Sequence, residues 1–329
     1  MIWRAVDDQG AWDKLYSEMG GGCYLQSWLW GEHRALFGWQ PVRCAAFGDD
    51  QRPKAIVQFL VRRFPGKSGI AWVPGGPLGK LSIWRNELLS AVRVSTGLHH
   101  ILLKANILRQ ACKEDEAALK AGGWRRSSHP LTSGLSLLWD LGASDEQRYS
   151  ALSKNWRRNL NRSEKYGLQV EAWRSPYADQ IAELYAEMEQ LKGLEQQQST
   201  RTIQSMIDLF GDRLLFYRCL DNDGNIVAMR ACLHEEGMAW DLMAAAGTAA
   251  RKTYATYATL WRLAQDCHHL GVKTFDFSGV DPQGNTGVWN FKRGTGASNI
   301  TYLGEWEIAS SEWLRRTMNL GIRMRGTRL

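Results

Sequence analysis

Residues 275–307 constrain the fold of this chain more than any other stretch. The stretch opens with the run Phe-Asp-Phe at 275–277, followed by Ser278-Gly279, which predicts a short strand entering a tight turn. A loop that carries Asp281, Pro282, Gly284, Asn285 and Gly287 follows, and the run Phe-Lys-Arg at 291–293 then places two cations before a glycine pair. A second strand of alternating aromatic and polar residues closes the unit. This order predicts an acid at a strand end and a cation across a loop.

The remainder of the chain predicts a mixed α/β fold that occurs twice. A strand, an Asp-rich turn and a second strand occur near residue 45, and the same pattern returns near residue 219. In the second half the predicted order is helix, helix, hairpin, strand, helix and strand. With 329 residues, two domains are favoured over one. We place the boundary within 140–150, which gives domains at 1–145 and 146–329.

The motif at 275–307 also resembles the C-terminal signature of the Fem family. The shared features are the aromatic–Asp–aromatic strand, the Phe-Lys pair, the glycine pair and a final Tyr-x-Gly-Glu. Fem proteins are aminoacyl-tRNA-dependent transferases that add amino acids to peptidoglycan precursors, and their fold is a pair of acetyltransferase-like (GNAT) domains. The resemblance implies that fold here, with mixed central sheets. Domain 1–145 is then expected on the acceptor side and domain 146–329, with its basic C-terminal tail, on the donor side.

The resemblance implies an amide-forming reaction. An amine on the acceptor would attack the ester of an aminoacyl-tRNA, and the expected acceptor is a peptidoglycan precursor, another envelope component, a peptide or a small metabolite. The family places the matching lysine at the donor end, so Lys292 is the candidate that stabilises the oxyanion. Asp276 either orients or deprotonates the amine, or caps a turn. No metal or tightly held cofactor is expected, because the ester is already activated.

A basic helix is predicted at 154–165. Its cations fall on one face and have few acids between them, and Fem relatives carry a similar basic helix at the start of the second domain. Either a solvated amphipathic helix or a phosphate-binding surface explains the pattern. The candidate tRNA-binding residues are Lys154, Arg158, Arg162 and Lys165.

Further candidates for substrate binding lie in both halves. In the second half, Tyr254 and Tyr257 resemble the family's Y-A-x-Y-A helix start, although Tyr257 is also explained as a core residue. Arg230 and Arg293 add cations to the same half. In the first half, Trp30 and Arg34 lie in an aromatic and basic segment, where Fem relatives have a cation that contacts the precursor's phosphate.

Two rival functions remain open. One is an acyl-CoA-dependent N-acyltransferase, which should show a glycine-rich pyrophosphate loop before the long helix; residues 249–253 hold two cations and no glycine. The other is a non-catalytic protein that binds tRNA or a membrane surface, in which Lys292 could be replaced without loss. The basic tail at 309–329 is compatible with an anionic membrane, with nucleic acid or with a frayed end.

Composition narrows the class of protein. The net charge of +7 is concentrated in the 154–165 helix and the tail, which favours a polyanionic partner. The six cysteines form no C-x-x-C pair and the seven histidines show no metal-binding spacing, so no metal site is expected. The chain lacks an apolar run of membrane-spanning length, and Asp7 and Asp8 interrupt the start where a signal peptide would be apolar. We therefore expect a cytoplasmic protein.

Overall fold

The computed structural model describes residues 1–193 and 198–324. These residues form two compact units, one made of 1–135 with 301–324 and the other of 136–193 with 198–300. The tail cations Arg325 and Arg328 lie outside the described residues. Within the described residues, no helix is long and apolar enough to cross a membrane.

The first unit begins with a sheet flanked by short helices. Its elements are β1 (Ile2–Ala5), α1 (Gln9–Glu18), α2 (Trp28–Ala35), β2 (Gln40–Phe47), β3 (Pro53–Phe64), β4 (Ser68–Pro74), β5 (Leu78–Gly79), α3 (Leu81–Trp84), α4 (Leu88–Thr96), β6 (His100–Gln110), α5 (Lys113–Ala121) and β7 (Arg125–Arg126). Strands β1 to β4 are antiparallel neighbours, and β4 pairs with β6 in parallel. The predicted first hairpin is therefore β2–β3. Its core side is built from apolar side chains of β3 and β6, which are mostly 0% exposed.

The second unit contains the predicted succession of helix, helix, hairpin, strand, helix and strand, together with further short elements. Its elements are β8 (Leu135–Asp140), α6 (Asp145–Ala151), α7 (Lys154–Ser163), β9 (Gln169–Ala172), α8 (Ala178–Lys192), α9 (Thr200–Phe210), β10 (Leu214–Leu220), β11 (Ile226–Glu235), β12 (Met238–Ala246), α10 (Thr248–Thr253), α11 (Ala255–His269), β13 (Thr274–Asp276) and α12 (Thr286–Arg293). Strands β9 to β12 are antiparallel, β12 and β13 are parallel, and β13 pairs antiparallel with β8. The sheet is therefore mixed, as predicted.

The last two elements return to the first unit. They are β14 (Ser298–Ala309) and α13 (Glu312–Met324). Strand β14 pairs antiparallel with β6, and its Leu303 and Trp306 are 0% exposed in the first unit's core. The sequence predicts a boundary at 145 with 301–329 in the second domain, whereas the two compact units divide the chain after residues 135 and 300. The reason is physical, since β14 joins the sheet edge of β6 and buries Leu303 and Trp306 in the core of the first unit.

Candidate active site

A cavity of about 610 Å³ lies within the second unit, beside the end of the parallel pair β12–β13. The pairing of these strands stops at Trp240 and Asp276, while β12 continues to Ala246. The cavity is lined by the continuing part of β12, by Phe277 and Ser278 after β13, and by side chains of β11, α8 and α12. The sequence folds this way because β13 ends at a turn, where the chain leaves the sheet and exposes the neighbouring strand.

Three charged side chains form an ionic cluster on the cavity wall. Asp241 accepts two hydrogen bonds from Arg230, at 2.9 Å to Oδ1 and 2.6 Å to Oδ2. Lys292 Nζ lies 3.3 Å from the same Oδ2. The side chains of Arg230 and Asp241 are each 6% exposed, and that of Lys292 is 12% exposed. Two cations and one carboxylate leave the cluster with one net positive charge in a poorly solvated place.

The ammonium of Lys292 is also fixed by the turn after β13. It donates hydrogen bonds to the carbonyl oxygens of Phe277 at 2.7 Å and Gly279 at 3.3 Å. Burial lowers the pKa of Lys292 below its usual value, and the carboxylate of Asp241 acts in the opposite direction. The two contacts at 3.3 Å are long, so they are the ones that an oxyanion in the cavity could replace.

Asp276 stabilises this turn through hydrogen bonds. Its Oδ1 accepts the backbone N–H of Ser278 at 2.8 Å and the hydroxyl of Ser136. The hydroxyl oxygen of Ser136 in turn accepts the N–H of Gly279 at 3.1 Å. Ser278 has φ of +55°, a conformation that costs energy for a residue with a side chain. Asp276 is 4% exposed and is not among the described residues that line the cavity, so its proposed catalytic role remains a prediction.

The predicted basic helix is present as α7, followed by a 3₁₀ turn at Glu164–Tyr166. Its apolar face is buried through Trp156 and Leu160, while Lys154, Arg158, Arg162 and Lys165 are exposed. Gly294 allows this packing, because a Cβ atom there would lie 2.8 Å from Trp156 Cδ1. The four cations therefore form a solvent-facing surface, which we call the basic stripe.

The two tyrosines differ in environment. Tyr254 separates α10 from α11 with φ of +59°, and its hydroxyl accepts a hydrogen bond from Arg162 at 3.1 Å. Tyr254 thus extends the basic stripe. Tyr257 packs edge-on against Trp156 and Phe291, with ring centroids 5.0 Å apart in both pairs, as expected of a core residue. Arg293 is exposed, with its guanidinium 6.0 Å from the Trp289 ring.

Trp30 and Arg34 lie in the first unit. Arg34 is partly buried, with its guanidinium 6.0 Å from the Trp30 ring and 5.8 Å from the Trp39 ring. Burial and the nearby Arg62 lower the pKa of Arg34 to about 10. The indole N–H groups of Trp30 and Trp39 are buried and have no hydrogen-bond partner in the part of the chain that the structure describes. Such a cluster of donors is suited to an anion, which agrees with the predicted phosphate contact but does not test it.

A carboxylate lies at the start of α10, in the region where an acyl-CoA-dependent enzyme is expected to carry its pyrophosphate loop. Glu187 Oε1 accepts the backbone N–H of Thr248 at 2.8 Å and its hydroxyl at 3.1 Å. The same carboxylate lies close to Gly247, since a Cβ atom there would be 2.6 Å from Oε2 and the Glu187 side chain would have to move. The position expected for the pyrophosphate of an acyl-CoA is therefore occupied by the carboxylate of Glu187.

Sequence reasoning missed three residues of this site. Asp241 lies in a strand 51 residues before Lys292, Ser136 is one of many serines, and Glu187 is one acid among several on α8. Asp241 stands in the otherwise apolar strand β12, which could have indicated that its carboxylate is buried, and a buried carboxylate demands a cation. No local pattern indicates the other two. Among the described residues, no group of three His, Cys, Asp or Glu side chains could hold a metal ion.

Comparison with known proteins agrees with this architecture. Residues 150–293 match the family model of an acetyltransferase (GNAT) domain. A crystal structure of FemX superposes with a TM-score of 0.84 at 15% identity, covering 97% of this chain and 100% of that one. This chain has a FemX-like fold. The predicted fold class and the resemblance in fold to the Fem family are thereby confirmed.

Two other solved structures share the FemX-like fold less closely. A tandem GNAT protein from the clavulanic acid biosynthesis pathway has a TM-score of 0.58 at 11% identity, covering 94% of this chain and 98% of that one. The C-terminal domain of a putative lysylphosphatidylglycerol synthetase from Agrobacterium fabrum has a TM-score of 0.57 at 13% identity, covering 96% and 97%. No curated protein sequence matches the chain.

Proposed function

We propose that the protein is an aminoacyltransferase that moves an amino acid from aminoacyl-tRNA to an amine acceptor. The observation that carries the proposal is the buried Lys292 ammonium, held with Arg230 around Asp241 on the wall of the cavity in a FemX-like fold. Such a net positive wall stabilises the negative charge that develops on the ester carbonyl oxygen. The likeness to FemX and to a lysylphosphatidylglycerol synthetase supports a peptidoglycan precursor or a lipid head group as acceptor.

The reaction balances without a further reagent. The nitrogen of the acceptor amine attacks the ester carbonyl carbon, so a C–N bond forms and the carbonyl oxygen becomes an oxyanion beside Lys292. The C–O bond to the ribose then breaks, and the released ribose oxygen takes the proton that the amine gives up. The protein contributes positioning and charge stabilisation.

The basic stripe supports a nucleic-acid donor. Lys154, Arg158 and Arg162 are exposed on one face of α7, and Arg162 reaches Tyr254 at the start of α11. Phosphate groups bind such surfaces through charge-assisted hydrogen bonds, and the affinity then depends on salt.

An acyl-CoA donor is the second candidate, favoured by the acetyltransferase family model. The carboxylate of Glu187 argues against it. Because this carboxylate already accepts the Thr248 N–H, a pyrophosphate placed at the start of α10 would meet like charge and lose that donor.

Filter binding of charged tRNA, uncharged tRNA and acetyl-CoA at two salt concentrations tests the proposal. We expect salt-sensitive binding that prefers charged tRNA, weakened about tenfold or more in the double variant Arg158→Ala/Arg162→Ala. The matched control is Arg213→Ala, an exposed arginine of the same unit that pairs with Glu235. Binding of acetyl-CoA without any preference for tRNA would overturn the proposal.

Replacing Lys292 separates catalysis from mere binding. We expect Lys292→Met to leave tRNA binding within about threefold and to lower transfer at least a hundredfold, because one oxyanion-stabilising group contributes about 3–4 kcal/mol. Transfer is followed as loss of labelled amino acid from tRNA in the presence of candidate amine acceptors. Unchanged transfer in Lys292→Met would overturn the catalytic role of Lys292, whereas tRNA binding with no transfer by the unsubstituted protein would assign it to the non-catalytic class.

A further inference from the structure

The rim and the interior of the cavity differ in chemistry. Lys192 and Arg251 line the cavity and are exposed, so they place two cations where it meets solvent. Met229, Met243 and Phe277 also line the cavity and are only 2%, 3% and 0% exposed. A donor that enters with a phosphate-bearing end and an acyl end would therefore meet cations first and apolar atoms last.

The charge of the lining excludes cationic groups from the interior. Among the described lining residues, the single carboxylate is that of Asp241. Both of its oxygens already accept hydrogen bonds from Arg230, and Lys292 Nζ lies 3.3 Å from one of them. A further cation would find no carboxylate without partners and would lie beside two buried positive charges. Desolvation and like-charge repulsion would both oppose its entry.

The apolar part of the lining is broad and adaptable. It contains the thioethers of Met188, Met229 and Met243 and the rings of Phe277 and Phe291. Methionine adjusts its shape to fill irregular space against apolar partners. The cavity volume of about 610 Å³ is in the range of sites that enclose whole small molecules, so the interior has room for a side chain larger than a methyl group.

We propose that the interior selects aminoacyl groups with uncharged, apolar side chains, such as leucyl and methionyl groups, and rejects lysyl and arginyl groups. This selectivity rests on the proposed function, because it assigns the interior to the acyl end of an aminoacyl-tRNA. The exposed Lys192 and Arg251 then face the phosphates of the 3′ end.

Binding of the full chain to a single acceptor-stem RNA that carries different amino acids tests this selectivity. Each amino acid is attached to the 3′ end through a stable amide, so that no acceptor is needed and no ester is lost. We expect the leucyl and methionyl RNAs to bind at least tenfold more tightly than the lysyl and arginyl RNAs. Lysyl RNA that binds as tightly as leucyl RNA, or more tightly, would overturn the selectivity while leaving the proposed function intact. Equal binding of all charged and uncharged RNAs would overturn both.

A charge added to the lining should change the selectivity. Met188 is only half-buried on α8, so Met188→Glu is expected to fold and to supply the missing carboxylate. We expect Met188→Glu to raise the binding affinity for lysyl RNA at least fivefold relative to that for leucyl RNA. The matched control is Ala186→Glu, which adds the same charge at an exposed position on the same helix outside the cavity lining. The same change in selectivity in both variants would mean a general charge effect and would contradict the proposal.

Discussion

At the scale of single residues, the turn after β13 connects a buried carboxylate to the candidate catalytic lysine. Asp276 Oδ1 accepts the Ser278 N–H, Ser136 accepts the Gly279 N–H, and the carbonyl oxygens of Phe277 and Gly279 accept from Lys292. The hydrogen bonds of Asp276 therefore support the turn that holds Lys292, which favours a positioning role for this carboxylate. The strained backbone of Ser278 makes such support necessary, since a turn with positive φ persists only when its surroundings hold it.

Removing the hydroxyl of Ser136 should loosen the turn and change the titration of Lys292. Burial lowers the pKa of Lys292, so easier entry of water in Ser136→Ala should raise that pKa toward its usual value. The neutral amine would then appear at higher pH, and labelling of Lys292 by an amine-reactive reagent, followed by mass spectrometry, should shift its midpoint upward. The control Ser150→Ala removes an exposed hydroxyl that donates a hydrogen bond to Gln147 O in the same unit. An unchanged midpoint in Ser136→Ala would contradict the positioning role.

At the scale of elements, the sequence predicts those helices whose apolar residues repeat along one face. Helix α8 spans the predicted residues 178–192, because its apolar positions repeat along one face. Helix α12 was predicted as a loop. It has only eight residues with Gly287 among them, and its stability comes from the Asn285 cap and from contacts with Trp156, which lies 135 residues from Phe291. Residue types at 275–293 thus indicated the site, whereas the helix that carries Lys292 depends on contacts that no local window contains.

The contact between α7 and α12 requires glycine at residue 294, because the ring of Trp156 occupies the space that a side chain there would need. In Gly294→Ala the new Cβ atom would lie 2.8 Å from the buried ring of Trp156, so either α12 or α7 must shift. We expect a loss of about 1–3 kcal/mol in the free energy of unfolding, measured by urea denaturation. Gly321→Ala in α13 is the matched control, because nothing lies within 4 Å of its Cβ position and alanine favours a helix. Equal stability of the two variants would show that α7 and α12 do not pack as described.

At the scale of the whole molecule, the chain builds its first unit from both of its ends. The order of the elements along the sequence predicts two consecutive domains, because the residues at 301–309 do not indicate which sheet the strand joins. The partners of β14 explain the outcome. Lys104 of β6 is 0% exposed, with its Nζ 3.8 Å from Glu305 and 3.6 Å from Glu307, and Arg315 and Asn319 of α13 also donate hydrogen bonds to Glu307. A buried ammonium requires such carboxylates, so β14 cannot be replaced by an arbitrary strand.

A chain shortened to residues 1–300 should therefore lose the first unit and keep the second. The truncation removes Leu303 and Trp306 from the core and leaves Lys104 buried without its two carboxylates, which is a strongly destabilising change of about 3–5 kcal/mol for the charge alone. Hydrogen exchange followed by mass spectrometry should show lost protection in β3 and β6 and retained protection in β10–β12, because the second unit keeps its own sheet. A chain ending at residue 324 is the control, since it retains β14 and α13 with every contact described above. If β6 were as well protected in the 1–300 chain as in the control, the first unit would fold without its C-terminal strand, and the division of the chain into these two units would be incorrect.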